Sequence, residues 1–229
     1  MSPEKRITKH QMKEDRLVTS VFIAFEYLQR NYQRLAIGVG VVLVVILAVF
    51  LYGRGQKQKA LEAEAACGQA QLRVTAGDLQ GGILDLRRVM ELYGGTAAGQ
   101  KATYFLANAY LQARDYNQAQ QLFRQFIAGG YKERLLVGSA HMGLGVGLEE
   151  TGQTAEAAGE YLKAVEISGR DYTTPEYALA AIRALAKTGQ KEKALELFNR
   201  LLNEFPRNFT DHNRAREFLA RYGIFDYGS

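Results

Sequence analysis

Apolar and polar positions divide the chain into three stretches of different rhythm. In the leader, Leu17, Val21, Phe25, Leu28, Tyr32 and Leu35 recur every three or four residues, which predicts a helix with one apolar stripe. That stripe suits either the headgroup region of a membrane or a partner membrane protein. Between Arg34 and Arg54 the rhythm disappears: Leu35–Gly53 is 19 uncharged residues, apolar on every face. A soluble helix is seldom apolar on every face, and this one would span roughly 28 Å at 1.5 Å per residue, close to the hydrocarbon thickness of a bilayer. A transmembrane helix is predicted. The basic leader is too long for the start of a signal peptide, and Arg54, Gly55, Gln56 and Lys57 stand where a small-residue cleavage site belongs, so the pattern is that of an uncleaved anchor. Gly38 and Gly40 are two apart, so the small-residue helix-dimer spacing of four is missing from the span.

From Lys57 onward the rhythm is helical throughout, with only Pro175 and Pro206 interrupting it. A second periodicity lies on top of the first. One unit reads Leu106, Ala107, Tyr110, Ala119, Phe123; the next Leu144, Gly145, Leu148, Ala157, Tyr161; the next Ile182, Leu185, Ala194, Phe198, closing at Pro206. An earlier unit fits as Ala70, Arg73, Gly82, Leu86, departing from the others at Arg73 and Gly82. The equivalent positions 82, 119, 157 and 194 are 37, 38 and 37 apart. Gly77-Asp78, Arg114-Asp115, Gly152-Gln153 and Gly189-Gln190 mark turns inside the units, and Gly94-Gly95, Gly129-Gly130 and Gly169-Arg170 mark loops between them. In order and spacing these residues resemble the tetratricopeptide repeat (TPR), in which small residues let two antiparallel helices approach and large ones fill the space between them. The resemblance covers about residues 60–206 and implies an all-α solenoid of about four helical hairpins. Residues 210–222 then supply a polar end cap, with Thr210 or Asp211 as N-cap, Ala215, Phe218, Leu219 and Tyr222 on one apolar face, and Gly223 as the stop. The expected organisation is a leader at 1–34, a span at 35–53, a solenoid at 54–208 and a capping helix with its tail at 209–229.

The same resemblance implies where a partner would bind. In this repeat family the concave face is lined by the first helix of each unit. Carried over, the second unit offers Lys101, Tyr104, Asn108 and Leu111; the third offers Ser139, Met142, Val146 and Glu149; the fourth offers Glu176, Leu179, Arg183 and Ala186. Tyr104, Met142, Val146 and Leu179 would form an apolar track with polar edges, suited to a peptide or protein segment. The alternative for several of them is ordinary packing between repeats.

Composition removes other classes. The net charge of +5 is concentrated in the first 34 residues, where seven basic residues face four acidic ones. Beside an apolar span, anionic lipid headgroups account for that excess more simply than nucleic acid does. Cys67 is the single cysteine, which leaves no disulfide or CxxC site and reads as a small buried helix residue. His10, His141 and His212 are dispersed, and no motif for zinc, nucleotide or nucleophilic chemistry occurs. The run Gly143-Leu144-Gly145-Val146-Gly147 sits inside a helix, where it reads as close packing, and Glu149-Glu150 reads as a solvated pair at a helix end. No catalytic residue, metal site or cofactor is expected.

A basic leader, one span and a TPR domain resemble, in layout, the ancillary Sec-translocon subunit family. That resemblance implies a non-enzymatic scaffold in the inner (cytoplasmic) membrane, with its repeats outside, in the periplasm, assisting secretion or envelope assembly. A dedicated structural subunit of a respiratory, photosynthetic or envelope complex is the other reading. Seven Lys and Arg in the leader, counted whole, place the N-terminus in the cytoplasm, although the charges close to the span nearly balance.

Overall fold

The computed structural model describes residues 9–224. Nine helices are found there and no strand: α1 (Lys9–Thr75), α2 (Leu79–Tyr93), α3 (Ala97–Gln112), α4 (Tyr116–Ala128), α5 (Arg134–Glu150), α6 (Thr154–Ser168), α7 (Thr174–Lys187), α8 (Lys191–Glu204) and α9 (Phe209–Arg221). The chain divides into two units between Lys57 and Gln58.

The first unit is helical from Lys9. Of the leader stripe, the side chains of Leu17, Val21, Leu28 and Leu35 lie outside the described set, as do residues 1–8 altogether, while Phe25 and Tyr32 are exposed. From Val41 to Tyr52 the large apolar side chains are 55–70% exposed. Among the described residues this is the one helix long and apolar enough to cross a membrane.

The second unit is a row of helical hairpins. From α2 onward each helix packs on the next in sequence, α3 also reaches α5 and α7 reaches α9, a one-dimensional array in which every repeat touches its neighbours. The four inner turns are built alike. Gly77, Arg114, Gly152 and Gly189 all have positive φ, and each is followed by a bond from the next N–H to a carbonyl five residues back: Asp78 to Arg73 (3.0 Å), Asp115 to Tyr110 (2.9 Å), Gln153 to Leu148 (2.8 Å) and Gln190 to Leu185 (2.9 Å). This left-handed cap satisfies helix-end carbonyls, and glycine adopts it without steric cost. Arg114, at φ +60°, is the non-glycine among them. Since a left-handed L-residue costs roughly 1–2 kcal/mol, Arg114→Gly should stabilise the array by about 1 kcal/mol in thermal unfolding. A loss of stability would mean that the Arg114 side chain contributes more than its backbone costs.

Alternation of small and large residues makes the core. Ala119, Ala157 and Ala194 are fully buried at the repeat's small position, and Leu86, Phe123, Tyr161 and Phe198 are buried at its large one. In the first repeat, a Cβ on Gly82 would lie 2.3 Å from Val74 Cγ2, so only glycine permits that approach of α2 to α1. Arg73 reaches Asp78 and Asp85, each at 2.6 Å, which explains a charged residue where the other units are apolar. The glycine run in α5 is equally structural: Cβ atoms at Gly143 and Gly145 would meet the rings of Phe123 and Tyr161 at 2.3 and 2.4 Å.

Two local expectations change. The capping helix starts earlier than Thr210 or Asp211, because Asn208 is its N-cap, its Oδ1 accepting from the Asp211 N–H at 3.3 Å. Ala215, Leu219 and His212 form its buried face, whereas Tyr222 is 37% exposed. His141 is buried, its Nδ1 2.7 Å from Glu160 Oε2, and Lys163 lies 2.8 Å from the other carboxylate oxygen. Burial opposes ionisation of Glu160, but Lys163 and His141 outweigh it and hold the carboxyl below its ordinary value of 4.5. A depressed folded pKa stabilises fully above the unfolded value and loses that contribution as pH falls through the folded one. Thermal stability should therefore decline on acidification below about pH 5, and Glu160→Gln should flatten that part of the profile. An identical profile in the variant would show that the pair contributes nothing.

Candidate protein-binding groove

Helices α3, α5 and α7 present the positions at which a partner is expected, and the structure distributes them over three cavities. The largest, about 670 Å³, is lined by Met142, Val146, Leu179 and Arg183 together with residues of α6 and α9. Tyr104 and Asn108 border a second of about 240 Å³, beside Gln71 and Phe105. Lys101 borders a third of about 300 Å³ with Cys67 and Glu133, and its amine lies 3.3 Å from Glu64. Leu111 lines none of these; its Cδ2 points at α5, 3.7 Å from where a Cβ on Gly147 would stand.

Among the expected contact residues, Leu179, Ala186 and Tyr104 serve the core as much as the surface. Leu179 is only 5% exposed. Tyr104 packs its ring against Phe123 and Phe126, with centroids 6.1 and 5.5 Å apart, and burial pushes its hydroxyl pKa up. A charge at position 104 would therefore disturb packing as well as binding, whereas Met142 and Val146 are half-buried and open to the cavity. The Cys67 thiol is buried and its pKa is raised to about 11, chiefly by burial, which keeps it protonated and unreactive.

The large cavity is organised around Glu149. Far from being a solvated carboxylate, its side chain is 15% exposed; Oε2 accepts from Arg183 Nη2 at 2.6 Å and from the Tyr161 hydroxyl at 3.0 Å, and Lys187 stands 4.0 Å from Oε1. Burial, and then the neighbouring Glu149 charge, push the Tyr161 hydroxyl pKa far up, so it remains a donor. Glu150 next to it is exposed. Arg183 is thus held by a carboxylate from the preceding repeat, fixing one charged edge of a floor made by Val146, Leu179 and Ala180. Arg214, Phe218 and Arg221 of α9, with Tyr222 just past its end, also line this cavity. Sequence reasoning placed Phe218 and Tyr222 on the helix's packing face; the spacing of α9 relative to the repeats is what would have assigned them to the groove. No cluster of metal-binding side chains occurs among the described residues.

This geometry, hairpins with left-handed inner turns stacked at a constant period, agrees with the family comparison. A model of the tetratricopeptide repeat-like domain matches residues 26–165. The chain belongs to that family. A second model, of the tetratricopeptide repeat itself, matches residues 177–208 and so accounts for the last hairpin of this TPR protein. No curated protein matches its sequence. Among solved structures, YrrB, described as a TPR protein with an unusual peptide-binding site, is 20% identical with a TM-score of 0.56, covering 76% of this chain and 84% of its own. The nearly identical TPR-like repeats of a putative kinesin light chain from Podosopora anserina give 17% identity and a TM-score of 0.58 over 70% of this chain and 84% of that one. MamA gives 15% and 0.56 over 68% and 85%. At these identities the likeness is one of fold.

Proposed function

We propose that this TPR protein is a non-enzymatic scaffold, anchored by the Leu35–Gly53 helix in the cytoplasmic membrane, that binds protein segments in the groove shared by α5, α7 and α9. One observation carries the binding half: an open cavity whose apolar floor (Val146, Leu179, Ala180) has charged edges fixed by the Glu149–Arg183 pair. An apolar floor supplies affinity and fixed charges supply register, the usual division of labour in segment recognition. Support for the anchor comes from the apolar helix, whose large side chains from Val41 to Tyr52 are exposed. The leader at 1–34 stays in the cytoplasm, the solenoid at 54–208 and its cap at 209–229 lie outside, and anionic lipids contact the basic leader. Tethering of this kind confines the groove near the bilayer and raises its effective concentration for proteins emerging there, a role in secretion or envelope assembly.

Three measurements on one membrane preparation test this. The chain should stay in the pellet after alkaline carbonate washing. Protease added to spheroplasts should degrade the repeats, and mild-detergent purification should recover several proteins in substoichiometric amounts. Repeats digested only after the membrane is lysed would reverse the orientation, and one stoichiometric companion would make the chain a dedicated structural subunit instead.

A further inference from the structure

A helix that only caps a solenoid needs a polar outer face. α9 instead sets Arg214, Phe218 and Arg221 on the groove, spaced by four and three and so on one side of the helix. Four cations (Arg183, Lys187, Arg214, Arg221) and three carboxylates (Glu149, Glu150, Glu176) line this cavity. Their accessibility differs. Glu149 is turned inward onto Arg183 and Tyr161 and is 15% exposed. Glu176 lies in the first turn of α7, roughly 16 Å along the helix from Lys187. Exposed Glu150 is then left against three accessible cations. Of these, Lys187 stands 4.0 Å from Glu149, Arg214 is 3.6 Å from Asp211 of its own helix, and Arg221 has no hydrogen bond or ion pair among the described residues.

We infer that the occupant of the groove is an acidic amphipathic helix, with two carboxylates seven residues apart and a bulky apolar side chain between them. This rests on the groove reading above and adds the chemistry of the partner. Charge and spacing both select it. Arg214 and Arg221 are two turns, about 10 Å, apart along α9, with Phe218 between them. A helix laid alongside repeats on one face at the same interval, so its carboxylates meet the two arginines while its apolar residue meets Phe218 and the floor. An extended segment returns to one face every ~6.6 Å and steps past that interval. The floor agrees: Met142 and Val146 on α5, and Leu179 and Arg183 on α7, are each four apart, the ridge spacing on which a further helix packs.

The test uses the purified full chain in mild detergent, with a photoreactive side chain at Val146 and three peptides of one helical design. The first carries Glu, Leu and Glu at the first, fifth and eighth positions of one face; the others carry Gln or Lys in place of both Glu. Adducts with the Glu peptide should exceed those with the Gln peptide several-fold, fall with added salt, and exceed those with the Lys peptide further still. Arg221→Glu, at an exposed position, should remove the preference, and a peptide with Lys at one end and Glu at the other should restore labelling of that variant. The end at which Lys restores it gives the direction of the bound helix. Equal labelling by the three peptides, preference for Lys, no labelling at all, or a folded Arg221→Glu chain that the mixed peptide fails to rescue overturns the inference. Adducts formed from Val146 in membranes read the groove itself. If they form while the peptides show no charge preference, the groove stands and the acidic partner falls; if none form, the groove reading falls on its own evidence.

Discussion

Phe123→Ala should cost the solenoid about 3–5 kcal/mol, the range for removing a large aromatic side chain from a closed core. Phe123 is fully buried and stands where several elements meet. Its ring fills the space left by Gly143 on α5, and it touches the edge of Tyr104 on α3, so it fastens the second repeat to the third. In a one-dimensional array such a loss is local before it is global. Hydrogen exchange should accelerate first in α3, α4 and the first half of α5, with the last hairpin keeping most of its protection. The melting temperature of the detergent-solubilised chain should fall by roughly 2–4 °C for each kcal/mol lost. A drop under about 1 kcal/mol would show that neighbouring side chains collapse into the vacancy, which the opposed glycine, having no side chain to offer, argues against.

Gly145→Val should be comparably damaging, at about 3 kcal/mol, for the opposite reason. Its Cβ would stand 2.4 Å from the ring of Tyr161, a fully buried side chain. Displacing that ring also withdraws the hydroxyl that donates to Glu149, and with it the support of Arg183. Binding should therefore weaken together with stability. Gly159→Ala, on the exposed side of α6 where nothing lies within 4 Å, is the control. There the gain in helix propensity should stabilise by up to about 1 kcal/mol. Equal effects at the two positions would mean that the glycines of α5 are no closer to their neighbours than an exposed one.

How much of this was legible in the sequence depends on which interaction fixed each residue. The hairpins were legible because a repeat writes the same constraint several times: Ala119, Ala157 and Ala194 answer one steric demand, and the left-handed turns at Gly77, Gly152 and Gly189 another. Arg114 showed the turn by its place in the period in spite of its side chain. The roles of Arg73 and Glu149 were not legible, since each is set by partners distant in sequence: Asp85 twelve residues on for one, Arg183 and Tyr161 for the other. Two adjacent glutamates at a helix end look alike in a sequence, and only the packing of α6 and α7 separates buried Glu149 from exposed Glu150. The repeat resemblance named Leu179 and Tyr104 as groove positions but could not divide groove from core, because a concave wall in a solenoid is the edge of its core. The start of α9 was missed by one turn's worth of capping chemistry: Asn208, Thr210 and Asp211 are all acceptable N-caps, and the helix uses the first, whose Oδ1 accepts from the Asp211 N–H.

The most direct test of the account is site-specific photo-cross-linking in intact membranes, with a photoreactive side chain placed at Val146 in the groove or at Glu166 on the exposed side of α6. Adducts to other proteins should form from Val146, and also from Met142, and be lost when Arg183→Glu sets a second carboxylate against Glu149. Adducts of equal yield from Glu166, or none from either groove position in a chain that remains folded, would contradict the claim that this face of the solenoid is where proteins bind.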